Sequence, residues 1–340
     1  MSVPVHPRPA AARRRVPRSV VAFAVGWLAV SAAALLLGGD RLPFDRPAAA
    51  GRSTSSQVLG GWLNLLAALL LVAIALRMTR NRTVPDLAAR APDRRLAARE
   101  LGLLLGWVAV VTAVGWVLGN ALGDHPFGLH LPGSLHGISN PPGGTWIAVW
   151  CAFNLLAYAV LPYLAFRARG YDHRQLGLRS ADRGGDLRLI VVILVVESVL
   201  EFATLGGPLL ALAPGDAARA VPLSFAVNLV GTVLPIAVLI YGIMLPRFMR
   251  LTGSVPATAI LGGLAYALIH VFDGWALYTD LRTGVLTLCF LVLQYSGPGL
   301  IKAVLTQRTG SVWVHVWGYH AIAPHATVDA PTVVHLVHGR

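Results

Sequence analysis

The sequence predicts an all-α protein, a polytopic transmembrane helix bundle with 8–9 spans. Of the 340 residues, 56% are hydrophobic and only 13% charged, with a mean hydropathy of +0.65. A water-soluble fold of this size has too little interior to hide that much apolar surface, so lipid must solvate much of it. The apolar residues also fall in runs of about 20, the length a helix needs to cross a bilayer.

Taken in order, the predicted spans are 19–38, 58–77, 101–123, 145–168, 188–208, 222–245, 256–275 and 283–303. A shorter segment, 311–326, could cross a thin region or lie as a helix inside the bundle. The chain thus divides into a basic N-terminus (1–18), a four-span region (19–168), a loop (169–187), the core helices (188–326) and a tail (327–340). The first apolar run follows an Arg-rich start and is long for the apolar core of a signal peptide, which favours a membrane anchor. Residues 39–57 and 124–144 read as Gly/Pro/Ser-rich outer loops and 78–100 as a basic inner loop. His125, His130 and His136 stand in the second outer loop, where nothing in the sequence fixes their mutual geometry for a metal.

A net charge of +13 can signal a nucleic-acid partner, but here the basic residues stand in short loops between apolar runs. Counted over nine spans, 22 Lys and Arg fall on the side of the N-terminus and 6 on the other. The positive-inside rule therefore predicts a multi-pass protein of the cell membrane with a cytoplasmic N-terminus and no nucleic-acid partner. Cys151 and Cys289 both lie in apolar runs and read as small packing residues.

Ionisable side chains in lipid-embedded helices are costly and become functional candidates. Glu197 and Glu201 are spaced i, i+4 on one face of the fifth span. Asn228 follows in the sixth, Tyr266 and His270 in the seventh with Asp273 just beyond, and Gln294 and Tyr295 precede a helix-breaking Ser296-Gly297-Pro298-Gly299 in the eighth. The last segment holds His315, His320 and His325, followed by Asp329. At a rise of about 1.5 Å per residue, Glu201, Asn228, His270 and His320 come to similar depth in the outer half of the bundle, with Glu197 about one turn deeper. Such convergence predicts a buried polar site. Its carboxylates could act as a general base towards water and its imidazoles could hold that water or stabilise an oxyanion. Alternatively, His270 and His320 with a carboxylate could bind a divalent metal such as zinc. Glu197, Glu201, His270 and His320 are the catalytic candidates, and Asn228, Tyr266 and His325 the candidates for binding substrate.

Over roughly residues 165–326 the chain resembles the CAAX protease and bacteriocin-processing (CPBP) family of intramembrane endopeptidases. Gln175-Leu176-Gly177-Leu178-Arg179 is similar to the LGLR-type stretch before the family's core helices, and Gly242 to Phe248 to the tail of its first motif. Tyr266 and His270 match the second motif, an aromatic residue four before a His, and Thr309 to Trp313 leading to His320 is similar to the approach to the third. The paired glutamates of the first motif should stand at Ile236 and Ala237 and its Arg at Tyr241, and Pro324 stands where an Asn should follow His320. The resemblance implies a hydrolase cleaving a membrane-embedded peptide, and the shared depth, not the resemblance, offers Glu197 or Glu201 from the preceding helix as the missing carboxylate. The departures leave open a catalytically inactive relative that binds a membrane protein or lipid, or an enzyme acting on an isoprenoid or other lipid-like substrate. Proton-coupled transport is a weaker alternative.

Overall fold

The computed structural model describes residues 16–338 apart from 50, 124, 135 and 136. The basic start at 1–15, His136 and the last two residues of the tail lie outside the described residues. Among the described residues every regular element is helical. The main helices are α1 (Arg18–Gly38), α2 (Thr54–Met78), α3 (Arg94–Gly123), α4 (Gly144–Ala168), α5 (Arg183–Leu205), α6 (Pro214–Thr252), α7 (Val255–Leu268) and α8 (Leu281–Thr309).

Six of these, α1–α4, α6 and α8, are long and apolar enough to cross a membrane. Large apolar side chains such as Val25, Leu36, Leu63 and Leu103 point outward, uncovered by protein, as lipid-facing residues do. Burial orders the bundle. Only 17% of the apolar window of α1 and of α3 is covered by protein, against 67% for α8. The central helix is therefore α8, and the site is built around it.

The expected eight or nine spans are not matched by eight or nine long apolar helices. The 23 residues of α5 include Arg188, Glu197 and Glu201. Helix α7 stops at Leu268, well before the expected 275, and its 14 residues span about 21 Å against a hydrocarbon core of about 30 Å. The 311–326 segment is broken into Val312–His315, a π-helical turn over Val316–His320 and a second over Ala323–Val328. It is packed inside the protein rather than running straight through it. The Ser296-Gly297-Pro298-Gly299 sequence, expected to break the eighth helix, lies within an unbroken α8. Proline there removes one N–H donor, and helices surrounded by other helices tolerate that loss.

Small residues bring α7 and α8 together. A Cβ built on Gly299 would sit 2.7 Å from the Tyr266 Cβ and 2.8 Å from the Gly263 Cα. Only hydrogen fits, and backbones pack closely where small residues face each other. This contact presses Tyr266 and His270 against Tyr295 and Lys302.

The largest departure from expectation is 124–143, read from sequence as an exposed outer loop. Phe127, Leu129, His130 and Leu131 are instead buried. Buried peptide groups without partners are costly, and polar side chains on the helices supply those partners. Trp150 Nε1 and Asn154 Nδ2 of α4 donate to the Gly128 carbonyl at 2.7 and 2.9 Å. Thr232 Oγ1 of α6 donates to the Leu129 carbonyl at 2.7 Å. A Cβ on Gly128 would come 2.8 Å from the Phe272 carbonyl oxygen. The loop is held inside the bundle, and it carries His130 inward.

The other end is tied by ions and backbone. Arg247 Nε donates to Glu100 Oε2 at 3.0 Å, with Nη2 at 2.9 Å, and the Tyr171 hydroxyl donates to the same carboxylate at 2.9–3.0 Å. The Leu176-Gly177-Leu178 stretch docks on the start of the last segment. The Val312 N–H donates to the Gly177 carbonyl and Trp313 Nε1 to the Leu178 carbonyl, both at 2.9 Å.

Candidate functional site: a buried histidine and carboxylate centre

The inward loop, the end of α7, the middle of α8 and the broken last segment meet at one place. His130, Tyr266, His270, Asp273, Tyr295, Lys302, His315, His320, His325 and Asp329 are all buried there. His130 is the hub. Its ring centroid lies 4.0 Å from that of His270, 5.6 Å from Tyr295 and 5.8 Å from His325. The rings of His320 and His325 are 5.4 Å apart.

Two imidazoles are each clamped by a carboxylate. His270 Nδ1 lies 3.2 Å from Asp273 Oδ1, in the turn just beyond α7. His325 Nδ1 lies 2.8 Å from Asp329 Oδ2, four residues on in a π-helical turn. With Nδ1–H donated to the carboxylate, each ring keeps Nε2 as an acceptor. Asp273 also accepts a hydrogen bond of 2.5 Å from the Tyr295 hydroxyl. Tyr266 stands edge-on to His270 and His320, its hydroxyl 3.5 Å from His320 Nε2. Both nitrogens of His130, Nε2 of His270, Nδ1 of His320 and Nε2 of His325 have no protein partner. These five ring nitrogens belong to four imidazoles, each of which offers at most one lone pair when neutral.

Two three-residue sets place one ligand atom each within 4.8 Å of the others. One is His130, His320 and His325, and the other is His130, His270 and Asp273. Among the described residues, Glu197 and Glu201 join neither set.

The glutamates form a separate group with Lys302. Glu197 is 2% exposed, and neither of its carboxylate oxygens has a hydrogen-bond partner. Lys302 interacts electrostatically with both glutamates, and its Nζ lies 3.6 Å from the centre of the Tyr266 ring. The count of 22 inner basic residues takes Lys302, with Arg308, as following the eighth span, although the predicted 283–303 includes it. It lies instead in the body of α8, seven residues before the helix ends at Thr309, and is 1% exposed.

Of the residues expected to bind substrate, Tyr266 and His325 line this centre. Asn228 is buried beside it, with Nδ2 donating to the Ser224 carbonyl at 3.0 Å, and Ser224 Oγ in turn donates to the His325 carbonyl at 2.5 Å. Ser224 therefore braces the His325 turn, with Asn228 one helical turn further along α6. His315 packs against the Tyr241 ring at 4.5 Å, with its own ring 6.3 Å from that of His320. Ile236 and Ala237 are buried among apolar side chains, so α6 brings no acid to the centre.

The fold and this centre define a helical membrane protein with a buried polar core. No family model, no curated protein and no solved structure matches the chain.

Proposed function

We propose that this is a multi-pass cell-membrane hydrolase, its N-terminus in the cytoplasm, that cleaves a membrane-embedded peptide as a divergent relative of the CPBP endopeptidases. On this reading α5, α7 and the broken last segment complete the bundle as further full or partial spans. One observation carries the reading. His270, oriented by Asp273 at 3.2 Å, keeps Nε2 free beside three more imidazoles in a site closed to bulk solvent.

The chemistry follows from that arrangement. His270 Nε2 takes a proton from a water whose oxygen attacks the scissile carbonyl carbon. Asp273 stabilises the imidazolium that results, and Tyr295 holds Asp273 in place. The carbonyl oxygen gains the negative charge, towards which the Tyr266 hydroxyl can donate. When the C–N bond breaks, His270 returns its proton to the leaving amine. The products are one acid and one amine, with water consumed.

We take Glu197 and Glu201, which among the described residues join neither imidazole set, to support Lys302 beneath Tyr266 rather than to act as the base expected from sequence. His320 retains the role of positioning water. The resemblance gains from His325 and Asp329, which have the spacing of a His followed four residues later by a polar partner. It is weakened by Ile236 and Ala237.

The test compares new N-termini in the membrane fraction of cells expressing the protein or its His270→Ala variant. New termini inside apolar segments should appear with the native protein and fall by about 10²–10⁴-fold in rate with the variant. Identical sets of termini at equal protein levels would rule the reading out.

A further inference from the structure

We propose that His130, His320 and His325 form a binding site for one divalent transition-metal ion of the zinc class, with a fourth position open to water. The ligand atoms lie within 4.8 Å of one another and all three residues are buried. Imidazole nitrogens at about 2.0–2.1 Å around a tetrahedral ion are separated by about 3.3–3.5 Å, so small side-chain shifts close the set.

Three features single out this set. Its nitrogens are uncommitted. His320 Nδ1, His325 Nε2 and both nitrogens of His130 have no protein partner, a costly state for buried polar atoms unless a ligand satisfies them. His325 also carries the support that metal-binding imidazoles usually have, with the Asp329 carboxylate on Nδ1 turning Nε2 towards the site. The competing set of His130, His270 and Asp273 is already spent on itself, since Asp273 bonds His270 at 3.2 Å and Tyr295 at 2.5 Å.

Three imidazoles leaving an open position are a donor set that zinc-class ions occupy in hydrolytic centres. The ion would lower the pKa of a bound water beside His270 and polarise a carbonyl. It would also tie the inward loop, through His130, to the last segment, through His320 and His325. Metal binding stands without the hydrolase reading, because its evidence is the geometry of the three ligands alone.

The full chain, purified without a histidine tag and stripped with a chelator, should be titrated with Zn²⁺ or Co²⁺. Bound metal is measured by mass spectrometry and the Co²⁺ ligand-field absorption is recorded. One ion per chain with a tetrahedral Co²⁺ spectrum and a raised Tm is expected. His130→Ala and His325→Ala should each abolish stoichiometric binding, and His173→Ala, on the exposed surface, should leave it intact. Asp329→Asn keeps the three ligands and should weaken binding by about 10–100-fold, which separates loss of the site from loss of the fold. Absence of stoichiometric binding, or binding lost in His270→Ala and Asp273→Asn but retained in His325→Ala, overturns the proposal. Unchanged new N-termini in the His270→Ala cells would defeat the hydrolase reading while leaving a metal titration of this form in force.

Discussion

Breaking the Glu100–Arg247 pair is the sharpest test of how the bundle is stapled. Arg247 is 1% exposed and bonds Glu100 through two nitrogens at 2.9 and 3.0 Å, while its Nη1 donates to the Ile243 carbonyl at 2.6 Å. The guanidinium also stacks on Phe166 at 4.4 Å. Among the described residues Glu100 is the acid that pairs with Arg247, so removing it strands a buried cation. Removing one partner of such a pair costs about 3–5 kcal/mol. Glu100→Gln should fall near the lower end because its amide oxygen still accepts a bond, and Arg247→Met near the upper end because it strands the carboxylate. The double variant removes both charges and should cost less than the sum, with a coupling of about 1–3 kcal/mol. Unfolding in mixed detergent micelles, followed by circular dichroism, measures all three. Single variants costing under about 1 kcal/mol, or strict additivity, would refute the staple.

Three further outcomes follow from the same geometry. Gly128→Val should destabilise the protein by about 1–3 kcal/mol, since the new Cβ meets the Phe272 carbonyl oxygen at 2.8 Å, whereas Gly143→Ala, at φ −72° with open space around its Cβ, should stay within the error of the same melts. Lys302→Met alone should lower the Tm by leaving Glu197 and Glu201 without their cation, and adding Glu197→Gln and Glu201→Gln should recover much of the loss. Asp182 caps α5, and the Gly185 N–H, followed by Arg82, holds its carboxyl below the usual carboxylate range. A depressed folded-state pKa gives stability that is full above the unfolded value and lost as pH falls through the folded one. The native protein should therefore lose more stability than Asp182→Asn on acidification through that range, and parallel curves in pH-resolved melts would contradict it.

Apolar length made α1–α4, α6 and α8 legible in the sequence, because lipid demands uninterrupted runs. It failed for α7, where the apolar run continues past Leu268 but the backbone turns to bring His270 onto Asp273. Tyr266, His270, His320 and His325 are visible as polar residues in apolar surroundings, and the shared depth of His270 and His320, counted together with Glu201 and Asn228, points to one site. His130 was not legible. Its Pro/Gly-rich neighbours read as exposed loop, and donors further along the chain, Trp146, Trp150, Asn154 and Thr232, hold that loop inside. Lys302 was misplaced for a related reason. A lysine near the end of a span counts towards the loop charge, and nothing local shows that the helix continues to Thr309. The His325–Asp329 clamp had a readable signal in its i, i+4 spacing, but its neighbour Pro324 argued against a helical turn there.

The central claim is that residues 127–134 lie inside the bundle and deliver His130 to the other histidines. Cysteine accessibility tests this without touching the histidines themselves. In a background with Cys151 and Cys289 replaced by alanine, single cysteines are placed at Leu129 and Leu131, both 2% exposed, and at Asn140 on the exposed rim. A membrane-impermeant maleimide should label Asn140→Cys readily in the folded protein, and label Leu129→Cys and Leu131→Cys only after denaturation. Equal labelling at all three positions in the native state would contradict the account.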